Sequence, residues 1–277
     1  MLSLRTSASL ASFVVWMATA FGCAQTAAEG VIICSGVGRE RSSAVGVCTG
    51  ISLDLQLKSV GRAFPSTQQF LVVLVDGWKS KEGQLRRVHK VGTRWCDSGK
   101  PVPITLGHAG LAWGRGLHRK QTTNLKTEGD GKSPAGIFGI GTAFGRARVP
   151  PLGSLWNWLQ VGENHFWVDD PASPQYNRLV ELPVGQEPAK RWKSFERLKA
   201  SYRYGVVVKH NLPHVVPGAG SAIFLHPWAA PTATTVGCTA MDERELIRII
   251  RWLNPAQEPL LVQLPRAEFK RLAGLLP

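Results

Sequence analysis

Only one stretch of this chain repeats its apolar residues at helical spacing, and it lies near the end. Asp242–Leu253 (DERELIRIIRWL) sets Leu246, Ile249, Ile250 and Leu253 on one face and charges on the other. Thr239 is placed to cap its start, with Asp242 three residues later in the manner of a capping box, and Pro255 stops it. Elsewhere the apolar residues fall in short runs between turn residues. Phe70–Val75 (FLVVLV), Tyr204–Val208 (YGVVV), Ala222–Leu225 (AIFL) and Leu260–Leu264 (LLVQL) read as buried strands. Gln84–Val91 returns from Phe70–Val75 as a hairpin across Asp76–Gly83, and Val102–Leu106, Ile137–Ile140 and Phe166–Val168 are further strands. A short strand is expected near Ile51–Leu57, a short helix at Trp192–Lys199, a loop over Ala109–Asn124 and a turn over Gly129–Gly136. The expectation is a mainly β fold with one prominent helix on the C-terminal side, free of internal repeats.

Composition agrees. Gly 29 and Pro 18 supply turns, and 44% apolar residues can fill a substantial core. Lys+Arg 33 against Asp+Glu 19 leaves a formal charge of +14, which draws acidic partners at long range. The basic residues are dispersed, and neither zinc-finger spacing nor an RNP-type aromatic motif accompanies them. Nucleic acid therefore ranks below an anionic wall polymer as a partner.

The first residues read as an address rather than as fold. Arg5 precedes a short apolar run, Leu10–Ala24 (LASFVVWMATAFGCA), that ends in small residues, the layout of a secretory signal peptide. The run is shorter than the ~20 residues of a spanning helix. Lipid attachment at Cys23 is the lesser alternative, because Phe21 suits a lipobox poorly. The division expected is 1–24 signal peptide, 25–66 N-terminal extension and 67–277 catalytic domain, located in the periplasm or cell envelope. Export would expose Cys34, Cys48 and Cys96 to oxidising conditions. Cys34 and Cys48 are close enough to close a small loop; Cys96 has no evident partner, and parity leaves the pairing open.

The chemistry concentrates in Ser221–Leu253. A strand ends at His226, a loop of Pro, Ala and Thr follows, and Gly237-Cys238-Thr239 arrives ahead of the helix. A thiol reacts as thiolate, which a helix N-terminus favours. Gly237 allows an unusual turn, and the Cys238 N–H with a neighbour can make an oxyanion hole. His226 can fold back as the base. Each residue taken singly also reads as ordinary packing or turn chemistry. A metal site built from His210, His214, His226 and Cys238 fits no common zinc spacing, so no metal or other cofactor is expected.

The segment resembles the catalytic signature of the L,D-transpeptidase (YkuD-domain) family, in which a His and a spacer lead to a Gly-Cys pair. The likeness extends over Phe70–Pro265, through GHAGLAWG (Gly107–Gly114), EGDGKSPAGIF (Glu128–Phe138), YN (Tyr176–Asn177), WKSFERL (Trp192–Leu198), YGVVV (Tyr204–Val208) and GSAIFLHPW…GCTAM (Gly220–Met241). The resemblance implies a β-sandwich of mixed sheets and a Cys238 nucleophile that forms a thioester with peptidoglycan stem peptides. It implies His226 as proton donor and acceptor, the Pro227 carbonyl as third member, and Gly237 and Cys238 N–H groups as oxyanion donors. Transfer to an amine would make a transpeptidase; transfer to water, a carboxypeptidase or amidase. A non-catalytic wall-binding module is the third reading. Trp228, Tyr176 and Asn177 are candidates for substrate contact, and Lys132 and Trp113 weaker ones. The chain departs from the familiar motif at Val236, where a second His is usual, and at Ala240, where Arg or Asn is usual.

Overall fold

The computed structural model describes residues 51–198 and 202–277. The expected leader, with Cys23, Cys34 and Cys48, lies outside the described residues. The elements in chain order are α1 (Ile51–Ala63), β1 (Gln69–Val75), β2 (Glu82–Val91), β3 (Arg94–Asp97), β4 (Val102–Thr105) and β5 (Leu111–Trp113). They continue with β6 (Ser133–Gly145), β7 (Trp158–Gln160), β8 (His165–Val168), β9 (Arg178–Glu181), β10 (Phe195–Arg197) and β11 (Tyr204–Val208). The last are β12 (Phe224–Pro227), β13 (Thr239–Met241), α2 (Glu243–Trp252), β14 (Leu260–Pro265) and α3 (Arg266–Lys270).

The main sheet is mixed and runs β1-β14-β6-β11-β12-β13-β4-β2-β3; a further pairing of β1 with β2 closes it on itself. The mainly β fold expected from the short apolar runs, with the mixed sheets that the resemblance implied, is therefore what forms. Strand β1 is buried along almost its whole length, as a strand covered on both faces must be. One core gathers its side chains (Leu71, Val72, Val73) with Leu57 and Val60 of α1, Leu246, Ile249 and Ile250 of α2, and Phe269 of α3. A separate three-stranded sheet, β10-β8-β9, forms an insert between β7 and β11. It has its own small core of Phe166, Val168, Leu182 and Trp192.

Four local expectations are corrected. Ile51–Leu57 belongs to α1 rather than a strand. Its alternation at Leu53, Leu55 and Leu57 mimics a period of two, but Leu55 is 59% exposed while Leu57 and Val60 are fully buried, which is helical spacing. Asp54 fixes α1 to β3 by accepting the Trp95 N–H at 3.0 Å. The supposed loop over Ala109–Asn124 contains β5, parallel to the first residues of β6. Strand β6 itself begins at Ser133, inside the supposed turn, whose left-handed residues are Gly129 and Gly131. Trp192–Lys199 supplies β10 rather than a helix: Phe195–Arg197 pairs with β8, and the Arg197 guanidinium lies 5.2 Å from the rings of both Phe166 and Phe195. Tertiary pairing overrides local propensity there.

Candidate active site

Two neighbouring parallel strands bring the reactive side chains together. β12 pairs with β13 so that Leu225 faces Thr239 and His226 faces Ala240. Side chains alternate across a sheet, so Cys238, two residues before Ala240, projects to the same face as His226. Both line a cleft of about 530 Å³, together with Glu196, Tyr202, Arg203, Trp228, Val236 and Glu243. Strand β12 is buried at Phe224 and Leu225 and half-buried at His226 and Pro227. The apolar run thus ends where the chemistry begins.

The helix does not reach the nucleophile. β13 lies between Cys238 and α2, and the cap of α2 is Asp242, whose side chain accepts the Arg244 N–H at 2.9 Å. Thr239, expected as the cap, is buried in the sheet and donates its hydroxyl to Gln263 Oε1 at 2.8 Å. Sheet pairing on both sides of β13 outcompetes continuation of the helix. The expectation that Cys238 sits directly at the start of the helix is therefore corrected: β13 and the Asp242 cap come between them in the chain.

Cys238 is 5% exposed. Its Sγ donates to the Ala222 carbonyl at 3.3 Å and accepts the Phe224 N–H at 3.4 Å. Burial pushes the thiol up to about 12, against the smaller opposing pull of the Phe224 N–H. Burial also pushes the His226 imidazole below its ordinary value, with the Pro227 carbonyl acting in the other direction. His226 Nδ1 lies 2.8 Å from that carbonyl. Because a carbonyl only accepts, Nδ1 carries the proton and Nε2 is left as the basic nitrogen. The resting pair is thus a neutral thiol and a neutral imidazole. The Tyr202 ring meets His226 edge-on, with centroids 5.5 Å apart. Burial raises the Tyr202 hydroxyl, with Glu196 acting in the same direction, so it stays protonated.

The turn before Cys238 is held by hydroxyls. Thr235 Oγ1 accepts the Gly237 N–H at 3.1 Å and donates to the Cys238 carbonyl at 2.8 Å. Ser133 Oγ donates to that carbonyl at 2.8 Å and accepts the Gly107 N–H at 2.9 Å. The His108 N–H donates to the Thr235 carbonyl at 2.8 Å. Gly107 has no room for a side chain: a Cβ there would lie 2.3 Å from the Gly131 carbonyl oxygen. The three glycine-rich segments singled out in the sequence thus meet at one turn. Gly237, at φ +153°, would bring a Cβ to within 3.2 Å of the Lys132 carbonyl. Of the two candidate oxyanion donors, the Gly237 N–H is engaged by Thr235 Oγ1 in this structure.

Tyr176 and Asn177 do not line the cleft. Both are 2% exposed and stand behind the nucleophile. Asn177 Oδ1 accepts from Trp167 Nε1 at 2.9 Å and from the Ala222 N–H at 3.3 Å, while Nδ2 donates to the His210 and Asn211 carbonyls at 3.1 Å each. The Tyr176 hydroxyl and the Ser221 hydroxyl both bond the Glu128 carboxylate. Ala222 itself is left-handed at φ +53°, an uncommon conformation that this network over-determines. Of the other candidates, Trp228 lines the cleft. Lys132 points to Asn124 Oδ1 at 3.4 Å, and Trp113 packs on Trp78 at 5.1 Å between centroids. His210 uses both ring nitrogens, on the Arg115 N–H and the Ala219 carbonyl. Burial pushes its pKa down to about 3.

Ser133, Thr235, Tyr202 and Glu196 were missed as site residues. Ser133 and Thr235 sit inside or beside segments already singled out, but a hydroxyl in a turn carries no mark of its partner. Tyr202 and Glu196 reach the cleft from the insert, whose docking leaves no local pattern.

A family model for the L,D-transpeptidase catalytic domain (YkuD) matches residues 67–262. The comparison with curated proteins finds no match. Among solved structures, the chain is similar to Bd1075 of Bdellovibrio bacteriovorus, with 13% identity and a TM-score of 0.35 over 75% of this chain. It is also similar to Pgp2 of Campylobacter jejuni, a helical cell-shape-determining protein, with 12% identity and a TM-score of 0.31 over 79% of this chain. The match spans 54% and 61% of the lengths of those two chains.

Proposed function

Since the chain belongs to the L,D-transpeptidase catalytic-domain family, we propose that it is an exported peptidoglycan L,D-transpeptidase with Cys238 as nucleophile and His226 as base. The observation that carries this reading is the shared cleft of Cys238 and His226, with His226 Nδ1 held by the Pro227 carbonyl. That bond leaves Nε2 free to take the thiol proton. Sγ would leave the Ala222 carbonyl, lose its proton to Nε2 and attack the carbonyl of an amide between an L- and a D-centre of a stem peptide. The Cys238 N–H would stabilise the developing oxyanion. Collapse breaks the C–N bond, the departing amine takes the proton from His226, and a thioester remains. An amine of a second stem, deprotonated by His226, would then displace the thiolate. The disulfide at Cys96 fits an oxidising compartment and so the proposed export, with 1–24 as leader and 67–277 as catalytic domain.

Mass spectrometry of muropeptides after incubation with the purified mature protein tests the reaction. Cross-linked dimers support transfer. Shortened monomers alone would mean that water is the acceptor and the protein a hydrolase on the same site. A carbapenem adduct that forms on the wild type and is lost in Cys238→Ala would identify the nucleophile; an adduct retained in Cys238→Ala would remove it from the mechanism.

A further inference from the structure

Behind the nucleophile lies a buried ion pair that the mechanism above does not use. Lys126 and Asp130 occupy the loop between β5 and β6, with side chains 4% and 12% exposed and Nζ 2.7 Å from Oδ1. Asp130 also accepts the Lys132 N–H on the same Oδ1 at 2.9 Å and the Thr127 N–H on Oδ2 at 3.0 Å. The Lys126 ammonium has three donors, of which one meets Asp130.

The lysine runs beneath both segments that hold the thiol. A Cβ built on Gly220 would lie 2.9 Å from Lys126 Cε, and one on Gly237 would lie 3.5 Å from Nζ. Gly220 leads into Ser221 and Ala222, whose carbonyl accepts the thiol; Gly237 leads into Cys238. Gly220 is what admits the side chain, and at Gly237 the ammonium sits at ordinary contact distance. We propose that Lys126 is a positioning residue that acts through these segments as the fixed cation favouring the Cys238 thiolate, with Asp130 as the anion that moderates it.

A buried thiolate needs positive charge near it, and the first turn of α2 carries the acidic Glu243 and Glu245. His226 becomes positive only after it has taken the proton. The other groups that face the thiol are Glu196 of β10, which opposes ionisation, and the neutral Tyr202. Arg203 and Glu243 line the cleft as a pair 3.4 Å apart. Lys126 pairs with Asp130, and Lys126, Asp130 and Arg115 all act on the neutral His210. Lys126 acts on the thiol in the favourable direction, though burial outweighs it.

A loop clamp would use the same two residues, and the two roles differ in sign. Both Lys126→Met and Asp130→Asn break the clamp, but they change the charge near the sulfur in opposite directions. The experiment is the rate of iodoacetamide alkylation of Cys238 against pH, located by peptide mass spectrometry, with thermal melting as the control for folding. This assay needs no wall substrate. It rests on Cys238 being the reactive thiol of the proposed function, yet it fails or succeeds independently of muropeptide turnover. Lys126→Met is expected to slow alkylation at pH 7 roughly tenfold and move the profile to higher pH, as expected for a nearby opposite charge. Lys126→Arg should restore most of the rate, and Asp130→Asn should quicken it and move the profile to lower pH. Slowing by both Lys126→Met and Asp130→Asn, or no change in either, would overturn the proposal. If Lys126→Met does not fold, the sign of the Asp130→Asn effect decides alone.

Discussion

His226 and Cys238 are both held in their uncharged forms by burial, and this has a kinetic signature. A base that must be neutral loses activity as pH falls through its pKa, and that of His226 lies below the ordinary 6.5. Carbapenem acylation of the wild type is therefore expected to hold its neutral-pH rate at pH 6.5 and to fall only below it. An acid limb centred above 6.5 would mean that the imidazole is not buried in the working state. His226→Ala should slow acylation by about 10²–10⁴-fold, the usual contribution of a positioned base. Asn177, expected at the substrate, is instead predicted to act on stability and reactivity together. Asn177→Ala strands several buried partners at once, each costing about 1–3 kcal/mol, and releases the Ala222 N–H behind the thiol. A lowered melting temperature without slower alkylation of Cys238 would separate the two effects. That His226 and Cys238 share one cleft was legible from spacing and resemblance because both flank recognisable elements. The roles of Asn177, Ser133 and Thr235 were not, because a hydrogen bond between distant hydroxyls, amides and carbonyls leaves no periodic trace in sequence.

Helix α2 illustrates how far a local pattern carries and where it stops. Its buried stripe at Leu246, Ile249 and Ile250 follows directly from 3.6-residue spacing. Its start does not, because Thr239 and Asp242 are both good caps and only the claim of β13 on Thr239 decides between them. Asp242→Ala is expected to cost about 1 kcal/mol in urea unfolding, as an N-cap does, while Cys238 alkylation stays as in the wild type. A large loss of reactivity in that variant would show that the helix terminus does bear on the thiol. Trp167 is one of the insert's side chains that pack on the site. Trp167 of β8 meets Phe224 edge-on at 5.1 Å and donates to Asn177. Trp167→Ala removes a buried ring, worth about 3–5 kcal/mol. Because the Phe224 N–H bonds the thiol, reactivity and stability are expected to fall together.

At the scale of the whole molecule, three buried histidines set the acid limit. His118, His210 and His226 are each pushed below 6.5 by burial. Below that value the unfolded chain binds more protons than the folded one, so stability rises with pH and is lost as pH falls. Urea midpoints should decline from about pH 6.5 downward, continuing toward the His210 value of about 3. A midpoint flat down to pH 4.5 would show that these imidazoles are not held neutral. The overall architecture was legible as a class, mainly β with one strong helix, but its closure was not, since strand partners distant in sequence share no local signal. That closure dictates an order of assembly. Phe70 of β1 pairs with Leu260 of β14, which in turn pairs with Gly139 of β6. The strand that joins the beginning of the domain to its middle is thus the last strand of the described residues. No shorter chain can complete the ring, and contacts so distant in sequence form slowly. The framework of the cleft is therefore complete only after β14 has been made, and the Cys238 thiol is kept from its finished setting in every length of the polypeptide that stops short of that strand.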